Sequence, residues 1–181
     1  MEEMFDILDE AGRATGLSLP RSQVHREGQW HRSVHIWIED EWERLLLQQR
    51  SFQKDSNPGL WDISVAGHLS AGQKSLEAAV REVREEIGLE VAESRLTFWF
   101  SSKDEYRSSD GQFFDREFHD VFHLRLAPGE SRKIQPDPAE LAGVRWVSPE
   151  SFADELRSHP ECFVKHAPEY PMILTRFGVV F

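Results

Sequence analysis

The sequence predicts an α/β fold of the mixed (α+β) kind, with a mixed β-sheet sandwiched between helices. Three observations carry that expectation. Short strand-like runs outnumber helical ones and their order along the chain is mixed. One stretch, residues 75–87, breaks the strand pattern with a single apolar stripe of helical period. No repeat, low-complexity tract or linker interrupts the chain, so its 181 residues are expected to form one domain, residues 1–181.

In order, MFDILDE followed by AGRATG reads as a short strand and a turn. VHIWI (34–38) and RLLLQQR (44–50) read as strands joined by the acidic turn Glu39-Asp40-Glu41. Asn57-Pro58-Gly59 is a strong turn signal, and WDISVAG (61–67) alternates like another strand. Leu76, Ala79, Val80, Val83 and Ile87 then recur on one helical stripe, with Ser75 as expected N-cap and Gly88 where the helix should stop. LTFWF (96–100) is strand-like, residues 101–111 read as a polar loop, and FFDREFHDVFHLRL (113–126) is a longer strand. VRWV (144–147) is one more. Ser148-Pro149-Glu150 starts a helix with Pro at its first position, and a shorter helix is expected around residues 168–177.

Charge and composition narrow the function. With 39% hydrophobic and 29% charged residues, this is the composition of an ordinary globular protein. The net charge of -11 argues against broad nucleic-acid binding, which needs a basic face. No apolar run approaches the roughly 20 residues of a membrane span, and the acidic start MEEMFDILDE is unlike a signal peptide. The expected location is cytoplasmic, with no membrane partner. Cys162 is the single cysteine, so no internal disulfide or multi-cysteine zinc site is expected.

The chemistry concentrates in residues 67–89, GHLSAGQKSLEAAVREVREEIGL. Glu82, Glu85 and Glu86 fall within about a quarter turn of one helix at about 100° per residue, directed away from the centre of the apolar stripe. Three carboxylates so placed repel one another unless a cation sits among them. A hard divalent ion and an anionic, phosphorylated ligand suit such a site.

The spacing Gly67, five residues, Gln73, seven residues, Arg81-Glu82-Val83-Arg84-Glu85-Glu86-Ile87-Gly88-Leu89 resembles the signature of the Nudix hydrolases at every defined position but one, where Gln73 replaces a glutamate. The resemblance implies a Nudix-type fold. It also implies a loop–helix–loop that binds Mg2+ or Mn2+ and cleaves the diphosphate linkage of a nucleoside-diphosphate-X or related small-molecule diphosphate. By that pattern Glu82, Glu85 and Glu86 are metal ligands, Glu82, Glu85 and Arg81 are the catalytic candidates, and Arg81 orients a glutamate. Gln73 removes one charge and one metal ligand or structural acceptor.

Residues from about 4 to 150 are further similar to the isopentenyl-diphosphate-isomerase-like branch, through His31-Arg32, LLLQQRS with Arg50 and Lys54, and Pro58-Gly59-Leu60-Trp61-Asp62. That likeness makes Arg50 and Lys54 candidate diphosphate contacts, or else plain surface charges. It makes His25 and His68 candidate metal ligands, or else structural histidines. Gly67 and Glu117 complete the candidate substrate-binding set. Asp115 and Glu117 share a strand face; they and Asp120 suit a metal shell or a water-activating role, or else a solvent-facing edge. Glu140 is a weaker candidate of that kind, and Trp61, Phe100 and Tyr106 are candidates for stacking or for the core.

Isomerisation itself is disfavoured. It needs a thiol and a carboxylate facing each other across the site, and Ala66 stands where the isomerases carry their cysteine. A non-catalytic diphosphate-binding regulatory module is the third reading. The general base and a homodimer are left open.

Overall fold

The structure, a computed structural model, describes residues 2–54, 56–108, 110–166 and 169–181. Its strands are β1 (Met4–Leu8), β2 (Ala14–Pro20), β3 (Trp30–Glu39), β4 (Leu45–Arg50), β5 (Trp61–Asp62), β6 (Val65–His68), β7 (Leu96–Arg107), β8 (Phe114–Arg125) and β9 (Leu141–Val147). The helices are α1 (Arg21–Glu27), α2 (Ser75–Ile87), α3 (Pro149–Ser158) and α4 (Glu169–Arg176). All nine strands join one mixed sheet, in which β3 and β8 run parallel and the remaining pairings are antiparallel.

The fork in this sheet positions everything that follows. β3 and β4 pair only at Glu39 and Leu45, and then diverge. β6 and β8 flank β3, while β5 and β9 flank β4. WDISVAG, expected as one strand, therefore breaks into β5 on one branch and β6 on the other. Ser64 stands at the crossing: its hydroxyl donates to the Leu46 carbonyl (2.6 Å) and accepts from the Ile38 amide (2.8 Å), satisfying groups the opened ladder leaves behind.

Strand alternation sorts the two faces. Val34, Ile36 and Ile38 of β3 pack with Ala79, Val83 and Ile87 of α2. Trp37 points the other way, into a core with Phe152 of α3 and Ile173 of α4. The sandwich is thus helix, sheet, helix.

Three further expectations need correction. Residues 101–111 are not a loop as a whole, because β7 continues to Arg107, paired along β8 as far as Arg107 and Phe114; partner pairing overrides a locally polar sequence. AGRATG leads into β2, whose residues are largely exposed on both faces and so show no alternation, and α1 follows it. Ser75 is the first helical residue, and Lys74 is the N-cap. The Ser75 hydroxyl instead donates to Asp120 of β8. Gly88 ends α2 in the left-handed region at φ 69°, as its position predicts. Ser148 caps α3 by accepting from the Ser151 amide (3.1 Å). α4 matches the expected last helix, although Pro168 lies outside the described residues.

Candidate active site and metal centre

A cavity of ≈ 1090 Å³ opens where the sheet forks, with walls that include Gly67, Glu82, Arg50, His68, Glu117 and His166. α2 contributes its acidic residues from one side. Gly67 of β6 is the close-approach point: a Cβ there would lie 1.9 Å from Cδ of Glu82. The Glu82 carboxylate therefore occupies the space that any other residue at position 67 would fill. Glu86 sits deeper, and the Ala66 amide donates to its Oε2 at 3.4 Å.

The three glutamates are not equivalent. Glu86 is 6% exposed, yet it lines the cavity together with Glu82 and Glu85. The Glu82 side chain is 12% exposed and that of Glu85 is 48% exposed. Arg81 ties the outer two together, its Nη1 lying 2.8 Å from Glu82 and 2.9 Å from Glu85. Its Nη2 donates to the His68 carbonyl (2.7 Å) and to Oε1 of Gln73 (3.3 Å). Gln73 also accepts from the Ser70 amide at 3.2 Å, so it braces the loop and the arginine.

Burial, opposed by Arg81 and reinforced by Glu85, pushes the Glu82 carboxyl up to about 7. Burial and the nearby Glu82 push Glu86 well above its ordinary value, with Lys54 opposing. Two buried acids held at such a cost to their charged forms fit a divalent cation, which would restore both to the carboxylate.

β3 and β8 build a second donor set. Their parallel register places His31 beside Glu117, and Asp115 shares that face two residues earlier. His25 arrives from α1 and His68 from the end of β6. Ligand atoms of His25, His31, His68 and Asp115 all lie within 4.8 Å of one another. Nε2 of His25 and of His31 each lie 3.4 Å from Asp115 Oδ1, and Nε2 of His68 lies 3.1 Å from Glu117 Oε1. All three Nε2 atoms and Asp115 Oδ1 are buried without a hydrogen-bond partner among the described residues. Buried polar atoms are seldom left unpaired, and several aimed at one point fit a metal ion.

His31 is held in place by donor–acceptor contact between its Nδ1 and the Gln29 carbonyl (3.0 Å) and by stacking on Phe5. Burial and the neighbouring His68 lower the His31 pKa against the pull of Glu117 and Asp115. Burial works against ionised Glu117, but His68, His119 and His31 outweigh it and hold that carboxyl well below the usual range. His31 was visible in the sequence only as part of a resemblance. Its alternation with Ser33 and His35 along β3 is the signal that marks it.

The remaining candidates divide. Arg50 lines the cavity but is engaged by the Ser56 carbonyl and by Asp62, at 3.1 and 3.2 Å. Lys54 pairs with Glu140, and both line the cavity. Tyr106 lines it as well, whereas Phe100 packs against the α4-side core. Trp61 lies under the Arg145 guanidinium, 4.2 Å from the ring centre. Asp120 is corrected: it faces away from Glu117 and is locked by Arg32 (2.7 Å), Ser101 (2.6 Å) and Ser75. Ala66 lines the cavity, and Cys162 is exposed.

Fold and site together define the class of protein: the chain belongs to the NUDIX family, whose domain model matches residues 29–167. Its particular relatives are of two kinds. It is 41% identical over 169 residues to Nudix hydrolase 3 of Arabidopsis thaliana, a match covering 91% of this chain and 22% of that protein. It is 34% identical over 163 residues to the isopentenyl-diphosphate Delta-isomerase of Serratia proteamaculans, covering 90% of this chain and 86% of the isomerase. The chain therefore spans about a fifth of the length of the Arabidopsis protein and most of the isomerase. A crystal structure from Deinococcus radiodurans shares the fold with a TM-score of 0.68 at 20% identity, covering 96% of this chain and 98% of that one. Among the described residues no helix is long and apolar enough to cross a membrane.

Proposed function

We propose that this protein is a metal-dependent hydrolase that cleaves the diphosphate linkage of a nucleoside-diphosphate-X or a related organic diphosphate. The observation that carries the reading is the buried pair Glu82 and Glu86, pressed against Gly67 and Ala66 on the wall of a large cavity that Arg50 and Lys54 also line. Glu82 and Glu86, with Glu85 at the rim, hold Mg2+ or Mn2+. Bound there, a divalent ion would supply charge neutralisation on the diphosphate oxygens and a more acidic water.

This chain's residues do the rest. Arg81 fixes Glu82 and Glu85 relative to the β6 backbone, so their oxygens are preorganised before substrate arrives. Arg50 and Lys54, which line the same cavity, offer positive charge to the diphosphate. Their present partners, Asp62 and Glu140, keep those charges from standing alone in a cavity without substrate. His25, His31, His68, Asp115 and Glu117 hold a further ion of borderline softness, which imidazole nitrogens suit. Residues 1–181 act as one domain, and the place of action is the cytoplasm. Turnover of a panel of organic diphosphates with Mg2+ or Mn2+ in ¹⁸O-water tests the reading: label must enter a phosphate product. Absence of label from every phosphorylated product across the panel would leave a diphosphate-binding module.

A second reading, isomerisation of isopentenyl diphosphate, draws support from the Serratia relative and from the histidine–carboxylate set. Ala66 counts against it, because a methyl group cannot transfer a proton. Deuterium exchange into isopentenyl diphosphate by the metal-loaded protein would revive it.

A further inference from the structure

Deeper along the same sheet face lies another histidine group that the proposed hydrolysis does not use. His35 of β3, His119 of β8 and His166, just before α4, are buried or nearly so, and each offers a ring nitrogen within 4.8 Å of those of the other two. All three line the cavity.

Each ring is tied at one nitrogen only. His35 Nδ1 bonds Oε2 of Glu169 (2.8 Å), His119 Nδ1 bonds the Ser33 hydroxyl (2.7 Å), and His166 Nε2 bonds Oδ1 of Asp62 (2.8 Å). Among the described residues the side-chain hydrogen bonds of these rings engage one nitrogen each and leave the second without a partner. A histidine that ligates a metal characteristically gives its other nitrogen to a carboxylate, carbonyl or hydroxyl, which fixes ring and tautomer. Here that outer shell stands around all three rings. It is itself secured: Trp37 Nε1 donates to Glu169 (2.7 Å) and Arg50 to Asp62 (3.2 Å).

We propose that His35, His119 and His166 form a separate, nitrogen-only site for a transition-metal dication of the zinc class, with its open coordination position facing the cavity. Three imidazoles without a carboxylate ligand favour Zn2+ or Co2+ over Mg2+, which demands oxygen. Three protein ligands with a fourth position free is the pattern of reactive rather than purely structural zinc. The 1% exposed Glu169 and 2% exposed Asp62 behind the rings place two negative charges where a dication is to be balanced. His35 and His119 are stacked, their centroids 4.0 Å apart and planes 20° from parallel, whereas His166 stands edge-on to both.

This inference rests on residues distinct from the acidic helix and stands whether or not the protein hydrolyses diphosphates. The test is Co2+ stoichiometry of chelator-stripped protein in Mg2+-saturated buffer, read by calorimetry and by visible absorption. His166→Asn should lower the count by one equivalent, His25→Asn by one other, and the double variant by two. In the unmutated protein, Zn2+ should shift the ring ¹⁵N resonances of His35, His119 and His166 together, a readout that holds even if a variant folds poorly. An unchanged cobalt count in folded His166→Asn overturns the proposal. So do ring resonances that ignore Zn2+, or that move with inorganic pyrophosphate alone, which would make the cluster an anion pocket.

Discussion

Gly67→Ala isolates the contact on which the acidic site turns. Gly67 has an ordinary backbone conformation, so alanine brings no φ penalty, and the only consequence is steric. The new Cβ would meet Glu82 at 1.9 Å from Cδ, 2.0 Å from Oε1 and 2.5 Å from Cγ. Non-bonded carbons rest about 3.5–4.0 Å apart, so the carboxylate must retreat by roughly 1.5 Å or more. It is the far end of a flexible side chain, so the fold should survive with a stability change of about 1 kcal/mol. Misplacement of a site group by about 1 Å can cost on the order of a hundredfold in rate. We therefore expect kcat/KM on a diphosphate substrate to fall by about a hundredfold, with weaker Mn2+ binding in calorimetry and a near-normal melting curve. Wild-type turnover and Mn2+ affinity in Gly67→Ala would refute the placement of Glu82 at the metal.

Other consequences follow from the same groups. Because the folded protein holds the Glu82 carboxyl near 7 against an ordinary value of 4.5, it keeps a proton that the unfolded chain releases. Metal-free protein should thus lose stability as pH rises from about 4.5 to about 7, by roughly 3 kcal/mol for this group alone. Glu82→Gln should flatten that slope in denaturant titrations, as should Mn2+; an equal slope in the variant would rule out Glu82 as its source. Glu86→Gln should lower turnover by orders of magnitude while leaving metal-free stability equal or higher, and a rate near wild type would remove Glu86 from the site. Gln73→Glu should strengthen the tie to Arg81 by about 1 kcal/mol and leave Mn2+ affinity within about threefold, since Gln73 touches Arg81 and the loop; a large gain in affinity would place it at the ion.

The sequence by itself determined α2, its acidic residues and the glycine before them, because a helical stripe, a terminating glycine and a fixed spacing are local facts written within 23 residues. It also determined most strand positions, since alternation and turn signals act over a few residues. It did not disclose that β7 runs on through polar residues or that WDISVAG divides, because both depend on which strand lies alongside. Nor did it show that Glu86 is buried while Glu85 stays in solvent, or that Arg32, Ser101 and Ser75 lock Asp120. Local pattern did not reveal the histidines as one group: His25, His31, His68 and Asp115 lie up to 90 residues apart, and they become neighbours only where α1, β3, β6 and β8 meet. Chain-local preferences select elements, whereas convergence of charge at one point is set by strand pairing, and that is a property of the folded sheet alone.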